Sequence, residues 1–352
     1  MIKFLKEICI YITITFLVTN VVIFYFIKKS PGNFLDYPYE YSFYTYHINQ
    51  INKVSSYHNL IVGDSKGQCL SPKILGLNWI NLSEHASGFF QAYHTIKKYS
   101  LHNEIDTLLL YYTPTTVTDF NDREYLDKTM IPSGFINFQD IKTLETIESK
   151  YGHIISNATT INPFELKLKQ IERELKYFHF PFSYSRTFLT NLSFYFSGYK
   201  DFEAANAPRL KFTIENLGQA FSGDSPYNKS FNYEFSNINL PCKPDSVELS
   251  YFDSIITFSK VKRIEVYLAA SPINETTYKS YQNSIYQKSV ASFYKQLKEK
   301  YPTLHLIDEP VLMPNTIFGD SLLHPNKKGS IVLTNQIKEK LRLTNSNSLI
   351  YK

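Results

Sequence analysis

From Ile8 to Ile27 the chain reads ICIYITITFLVTNVVIFYFI, 20 residues without a charge. At about 1.5 Å per residue, such a run crosses the ~30 Å hydrocarbon core of a bilayer as one helix. Its polar members, Thr13, Thr15, Thr19 and Asn20, are tolerable within a span. Lys3 and Lys6 flank one end, Lys28 and Lys29 the other. The run closes on FIKKSPGN, without the small-residue pattern of a cleaved secretory signal, so residues 1–29 read as an uncleaved anchor. With lysines on both sides, flanking charge does not orient it. A short N-terminal tail makes a cytoplasmic N-terminus with an extracytoplasmic body the expected arrangement. No later segment approaches this length, so a single-pass membrane protein is expected.

The rest must fold by itself. Of the 352 residues, 43% are hydrophobic and 20% charged, enough for a core and too few charges for a disordered chain. The net charge of +5 comes without any run of Lys or Arg, so nucleic acid is not an expected partner. Cys9, Cys69 and Cys242 form no CxxC and have no histidine at ligand spacing, so no metal site is expected. Cys69 and Cys242 can be read as a pair or as two free thiols. No Walker loop, HExxH or dinucleotide fingerprint is present, so no cofactor is implied. N-x-S/T sequons at Asn81, Asn157, Asn191, Asn228 and Asn274 are expected in an Asn-rich chain and do not argue glycosylation.

Past a Pro- and Tyr-rich linker (30–56), short apolar strands alternate with helical patterns. NLIVGDS, WINLSEH and EIDTLLLYYT read as strands, with a helix over SGFFQAYHTIKKYS between the last two. The rhythm resumes with a helix over SVELSYFDSIITFSKV, a strand at RIEVYLAASP and one long helix from Thr277 to Tyr301. A strand at LHLIDEP and a last helix over NKKGSIVLTNQIKEKLRL follow. This alternation predicts an α/β fold, a parallel sheet with helices on both faces and ligands at the carboxyl ends of its strands. Between these two halves the rhythm stops, and an inserted, mainly helical cap is expected. The boundaries are α/β domain 57–119, cap 120–244, α/β domain 245–343 and tail 344–352. The aromatic stretch FHFPFSYSRTFLTNLSFYFSGY inside the insertion reads as cap core, with a membrane, partner or glycan surface as the alternative.

Gly-Asp-Ser occurs three times, at Gly63-Asp64-Ser65, Gly223-Asp224-Ser225 and Gly319-Asp320-Ser321. These are ordinary turn residues, and any copy can be only a turn. The first differs by standing at the carboxyl end of a strand, where the serine hydroxyl meets the ligand face and its backbone N–H can hold an oxyanion. The third places Asp320 and His324 between the last strand and the last helix. A serine nucleophile needs a base and a group that orients that base, and these residues could meet Ser65 at one end of the sheet.

This arrangement resembles the SGNH/GDSL hydrolase superfamily: a GDS after the first strand, Gly88 after the second, and an Asp…His block followed by Pro325-Asn326 and Gly329. The resemblance covers roughly 57–119 and 245–343. It implies a flavodoxin-like three-layer sandwich in which Ser65 is the nucleophile, His324 the general base and Asp320 its orienting acid. The backbone N–H groups of Ser65 and Gly88 would form part of the oxyanion hole. With a single anchor, the chain looks like the branch that accompanies membrane-bound O-acyltransferases, such as the lipoteichoic-acid D-alanylation and alginate O-acetylation proteins. The function so implied is a serine esterase or O-acyltransferase acting on a cell-surface polysaccharide. The alternative is a non-catalytic accessory protein that binds a glycan or a membrane-bound O-acyltransferase; a lipase acting on bilayer lipids is a third reading. Two features depart from the family. After the third strand the chain reads YYTPTTVTDFND, with no oxyanion asparagine, so Tyr112, Thr113 or Thr115 would have to substitute. Asp320 precedes His324 by four residues rather than three, with Asp308 in reserve. His85, three before Gly88, is the other histidine placed to line the pocket.

Overall fold

A computed structural model describes residues 2–29, 38–85, 87–113, 126–151, 154–155, 159–160, 162–178, 180–184, 188–189, 191–192, 202–220, 239, 241–242, 244–307, 312–319 and 324–350. The strands of the main sheet are β1 (Asn59–Gly63), β2 (Trp79–Asn81), β3 (Thr107–Tyr112), β4 (Glu265–Ala270) and β5 (His305–Ile307). The longer helices are α1 (Ile2–Lys29), α2 (Pro38–Ile51), α3 (Phe89–Tyr99), α4 (Phe138–Tyr151), α5 (Pro163–Tyr177) and α6 (Phe202–Glu215). They continue as α7 (Ser246–Lys262), α8 (Glu275–Tyr281), α9 (Ile285–Lys300) and α10 (Lys327–Ile350).

The chain divides into two compact units, one made of 49–122, 153–160 and 211–352, the other of 1–48, 123–152 and 161–210. The first unit is α/β. Its five strands are all parallel in the order β2-β1-β3-β4-β5. The order reverses between β1 and β3, and the crevice outside their carboxyl ends is where such sheets bind ligands. Leu60, Ile61 and Val62 are buried, as are Leu108 to Tyr112, because a parallel sheet is covered on both faces. On one face Ile61, Leu109, Tyr111, Tyr267, Ala269 and Ile307 join Leu333, Ile337 and Leu341 of α10 in one apolar cluster. On the other, the ring of Tyr112 lies 4.9 Å from Phe89 of α3, which lies 4.8 Å from Phe252 of α7. Each fully buried side chain of this kind contributes about 1.5–3 kcal/mol.

The second unit contains α1, a helix long and apolar enough to cross a membrane, with most of its side chains exposed. Its last turns are covered: Ile23 packs against Tyr184 and Phe188, with Phe26, Ile27 and Leu192 around them. Part of the aromatic stretch is therefore core, and what it packs on is the apolar helix. α4 and α5 lie together through the ion pair Arg173–Glu148 at 3.0 Å, both side chains buried.

Several expected boundaries move. Residues 38–51 of the supposed linker form α2, which buries Phe43, Tyr44, Tyr46, His47 and Ile51; the Pro and Tyr content that suggested a linker supplies a helix start and a core face. The insertion was expected to run to 244, yet 211–220 pack within the α/β unit. There Leu217 O accepts from Asn81 N (2.9 Å), and Ala220 N donates to Gln68 O (2.8 Å). The long helix expected over 277–301 is α8 and α9, broken where Asn283 turns left-handed (φ 65) and Ser284 caps the N-terminus of α9. The tail from 344 continues α10 as far as Ile350. Asn81, Asn191 and Asn274 of the sequons are buried; Asn157 and Asn228 lie outside the described residues. Cys69 and Cys242 are not joined in a disulfide.

Candidate active site

β1 ends on Gly63, and the next strand forces that glycine. A Cβ there would lie 2.0 Å from Tyr111 O on β3, so only a residue without a side chain lets the strands close at this point. The chain then turns through Asp64 and Ser65 into one 3-10 turn, Gly67–Cys69.

Asp64 holds this loop. Its Oδ1 accepts from Lys66 N (2.9 Å) and Gly67 N (3.4 Å), its Oδ2 from Thr113 N (2.8 Å) and Thr113 Oγ1 (2.7 Å). One carboxylate thus ties the loop after β1 to the end of β3, and Ser271 after β4 adds a 3.3 Å bond to Thr113 Oγ1. Asn81 staples the same loop from below: its Nδ2 donates to Gly67 O (2.8 Å) and Leu70 O (2.9 Å) while its Oδ1 accepts from Ser83 N (2.9 Å). Sequence reasoning took Asn81 only as a sequon. The available signal was an asparagine at the end of a buried strand, a place that disfavours it unless its amide is used.

His324 arrives from the far end of the chain on a short loop. Phe318 and Pro325 form an antiparallel bridge, and Gly319 N donates to His324 O (2.7 Å). Asn326 Nδ2 bonds to Thr316 O and Phe318 O, both at 3.1 Å, and its Oδ1 receives Gly329 N (3.0 Å). Cys69 Sγ lies 3.8 Å from both Ser65 O and Pro325 O, where the two loops meet.

The outcome is one short contact: His324 Nε2 lies 2.7 Å from Ser65 Oγ. No protein-family model matches this sequence, and no curated protein matches it either. Ser65 is half-buried and His324 buried, so the hydroxyl can be reached while the imidazole is shielded. His85 sits beside them, its ring centroid 6.4 Å from that of His324. Asp320, Ser321 and Asp308 lie outside the described residues, as do Thr115 and the whole second Gly-Asp-Ser.

The Gly88 N–H expected in the oxyanion hole is already engaged. It donates to Gln91 Oε1 (2.9 Å), and the next two N–H groups, of Phe89 and Phe90, turn to the buried carboxylate of Glu248 on α7. A Cβ at Gly88 would lie 2.6 Å from Glu248 Oε2, so any side chain there would have to displace that carboxylate. The proposed substitutes are also committed: Tyr112 Oη donates to Gly88 O (3.2 Å) and Thr113 Oγ1 to Asp64. Burial raises the Tyr112 phenol well above its usual range, with the nearby carboxylates adding to the effect, so it stays a neutral donor. The Ser65 N–H meets no acceptor among the described residues and is available to an oxyanion.

Proposed function

We propose that this chain is a membrane-anchored, extracytoplasmic serine esterase or O-acyltransferase of the SGNH/GDSL type, working through an acyl-Ser65 intermediate on a cell-surface polysaccharide. The observation that carries it is the 2.7 Å contact between Ser65 Oγ and His324 Nε2 at the carboxyl end of β1. The strand order β2-β1-β3-β4-β5 is that of flavodoxin-like sheets, and Ser65 stands at their switch point. Asp320 remains the proposed orienting acid and the bacterial envelope the proposed setting.

With its proton on Nδ1, His324 accepts the Ser65 hydroxyl proton at Nε2 as Oγ attacks the acyl carbonyl. The carbonyl electron pair moves onto oxygen, facing the Ser65 N–H. Collapse breaks the bond to the leaving alkoxide, which takes the proton from Nε2 and leaves acyl-Ser65. Water or a sugar hydroxyl then gives its proton to Nε2 and attacks the acyl carbon; the acyl–Oγ bond breaks as Ser65 Oγ takes that proton from Nε2, which restores both residues.

A second reading has its own support. With the Gly88 N–H committed to Gln91, the oxyanion hole lacks the donor that the resemblance implies, which favours a non-catalytic protein that binds a glycan or a membrane-bound O-acyltransferase. Fluorophosphonate labelling of the full chain in detergent decides between them; α1 is kept because Ile23 packs into the cap. Stoichiometric modification of Ser65, lost in Ser65→Ala and in His324→Ala, is expected for the enzyme. A folded chain that takes no label supports the accessory reading, and a label on Ser225 or Ser321 moves the chemistry to another Gly-Asp-Ser.

A further inference from the structure

In the second unit α5 turns an apolar stripe outward and a buried ion pair inward, with Glu165, Lys167 and Glu172 exposed beside the stripe. Along α5 and just beyond it, Phe164, Leu168, Ile171, Leu175 and Phe178 recur at the spacing of a single helix face, and each is between 39% and 70% exposed. The opposite face buries Gln170 and Arg173 against α4. There Arg173 pairs with Glu148 at 3.0 Å, and Gln170 Nε2 reaches Glu145 O at 3.4 Å. In water this arrangement is unfavourable twice over, because it desolvates an ion pair and leaves five large apolar side chains wet. Hydrocarbon reverses both terms for these groups: the Arg173–Glu148 pair turns inward and the apolar side chains turn outward.

The stripe also runs on into the apolar helix. Phe180, two residues past Phe178, has its ring 6.3 Å from that of Phe16 on α1. Tyr184 and Phe188 continue upward to Ile23. Counted from Lys28 at 1.5 Å per residue, Ile23 lies about 8 Å and Phe16 about 18 Å along α1. A segment that touches the span so far from its Lys28 end must share the hydrocarbon with it. We infer that α5 is a second membrane element, its Phe164–Phe178 stripe lying against lipid acyl chains beside α1. The inference rests on α1 crossing the bilayer.

The test places single tryptophans in the full chain, reconstituted into phosphatidylcholine vesicles with or without brominated acyl chains. Wild type, with Trp79 alone, sets the baseline. Ile171→Trp and Leu168→Trp probe the stripe, Glu165→Trp sits about 100° round the helix, and Val18→Trp reports on α1. All four positions are exposed, so folding is checked by an unchanged Tm. Brominated lipid should quench the added emission at positions 168 and 171 about twofold, as expected for side chains ~5–10 Å or more past the headgroup boundary, and leave position 165 unaffected. Aqueous iodide should do the reverse. Iodide quenching at 168 and 171 would put the stripe in water and overturn the inference. Shielding from both quenchers would put a protein there, a second copy or a membrane partner, and would overturn it equally. If Val18→Trp is quenched by lipid and the stripe is not, only this inference fails; if neither is quenched, the anchor itself is wrong.

Discussion

Asp64→Asn separates a carboxylate that holds the Ser65 loop from one that takes part in chemistry. The native carboxylate serves two pairs of donors, Lys66 N and Gly67 N on Oδ1, Thr113 N and Thr113 Oγ1 on Oδ2. Asparagine offers one acceptor oxygen, so its amide nitrogen must face one pair. Facing Thr113, it can be met by the rotated hydroxyl, but the Thr113 backbone N–H loses its partner. Facing the loop, it strands the Lys66 N–H. One buried unpaired N–H costs about 1–3 kcal/mol, and losing the charge on the remaining bonds adds about 1 kcal/mol. The expected cost is about 2–4 kcal/mol, a fall in Tm on the order of 5 °C. Thermal unfolding of the full chain in detergent reads it for Asp64→Asn, Thr113→Val and the double variant. Both residues serve one contact, so the double should cost less than the sum by about 0.5–3 kcal/mol. Additivity of the two changes, or an Asp64→Asn variant as stable as wild type, refutes the argument. So does an Asp64→Asn chain with unchanged Tm and no Ser65 labelling, since Asp64 would then act in proton transfer.

Arg173→Ala takes the cation from the buried Glu148 and should cost about 3–5 kcal/mol, read as Tm; Arg173→Met with Glu148→Leu should restore most of it. His305, stacked on Tyr267, has its imidazole pKa lowered by burial, so below about pH 6.5 the unfolded chain binds the extra proton first and stability falls with pH. A Tm series between about pH 7.5 and 5.5 should show this loss in wild type and a flatter profile in His305→Gln. Gly88→Ala sets a methyl 2.6 Å from Glu248 Oε2 and should cost about 1–3 kcal/mol in thermal unfolding while leaving Ser65 reactive. Loss of labelling at unchanged Tm would return Gly88 to the oxyanion hole.

The sequence displayed what depends on local pattern. The uncharged run from Ile8, the strand at Leu60–Val62 and the Ser65–His324 encounter followed from periodicity and from residues placed at strand ends. What it hid depends on partners far along the chain. Nothing near Gly88 announces Glu248, 160 positions later, whose carboxylate accepts from the first N–H groups of α3. Pro38–Ile51 looked like a linker because Tyr and Pro are ambiguous until a core is there to receive Tyr44 and Phe43. The break at Asn283 was locally visible, since an Asn-Ser pair is a natural left-handed residue followed by a helix cap, but the surrounding period outweighed it.

Glu248 bears on the choice between transfer and hydrolysis. A helix N-terminus is an anion site, and here the chain's own carboxylate fills it. An oxyanion formed at Ser65 then goes without the N–H groups at the start of α3, and each missing donor slows such a step by about 10²–10³-fold. The penalty applies to deacylation as much as to acylation. Bulk water, arriving unpositioned, meets that barrier in full. A sugar hydroxyl held by the rest of its polymer can offset much of it, because binding energy away from the reacting atoms orients the attack. If Ser65 is acylated at all, a weak oxyanion hole makes the acyl-enzyme wait for a bound acceptor, and a long-lived acyl-Ser65 suits a transferase better than a hydrolase.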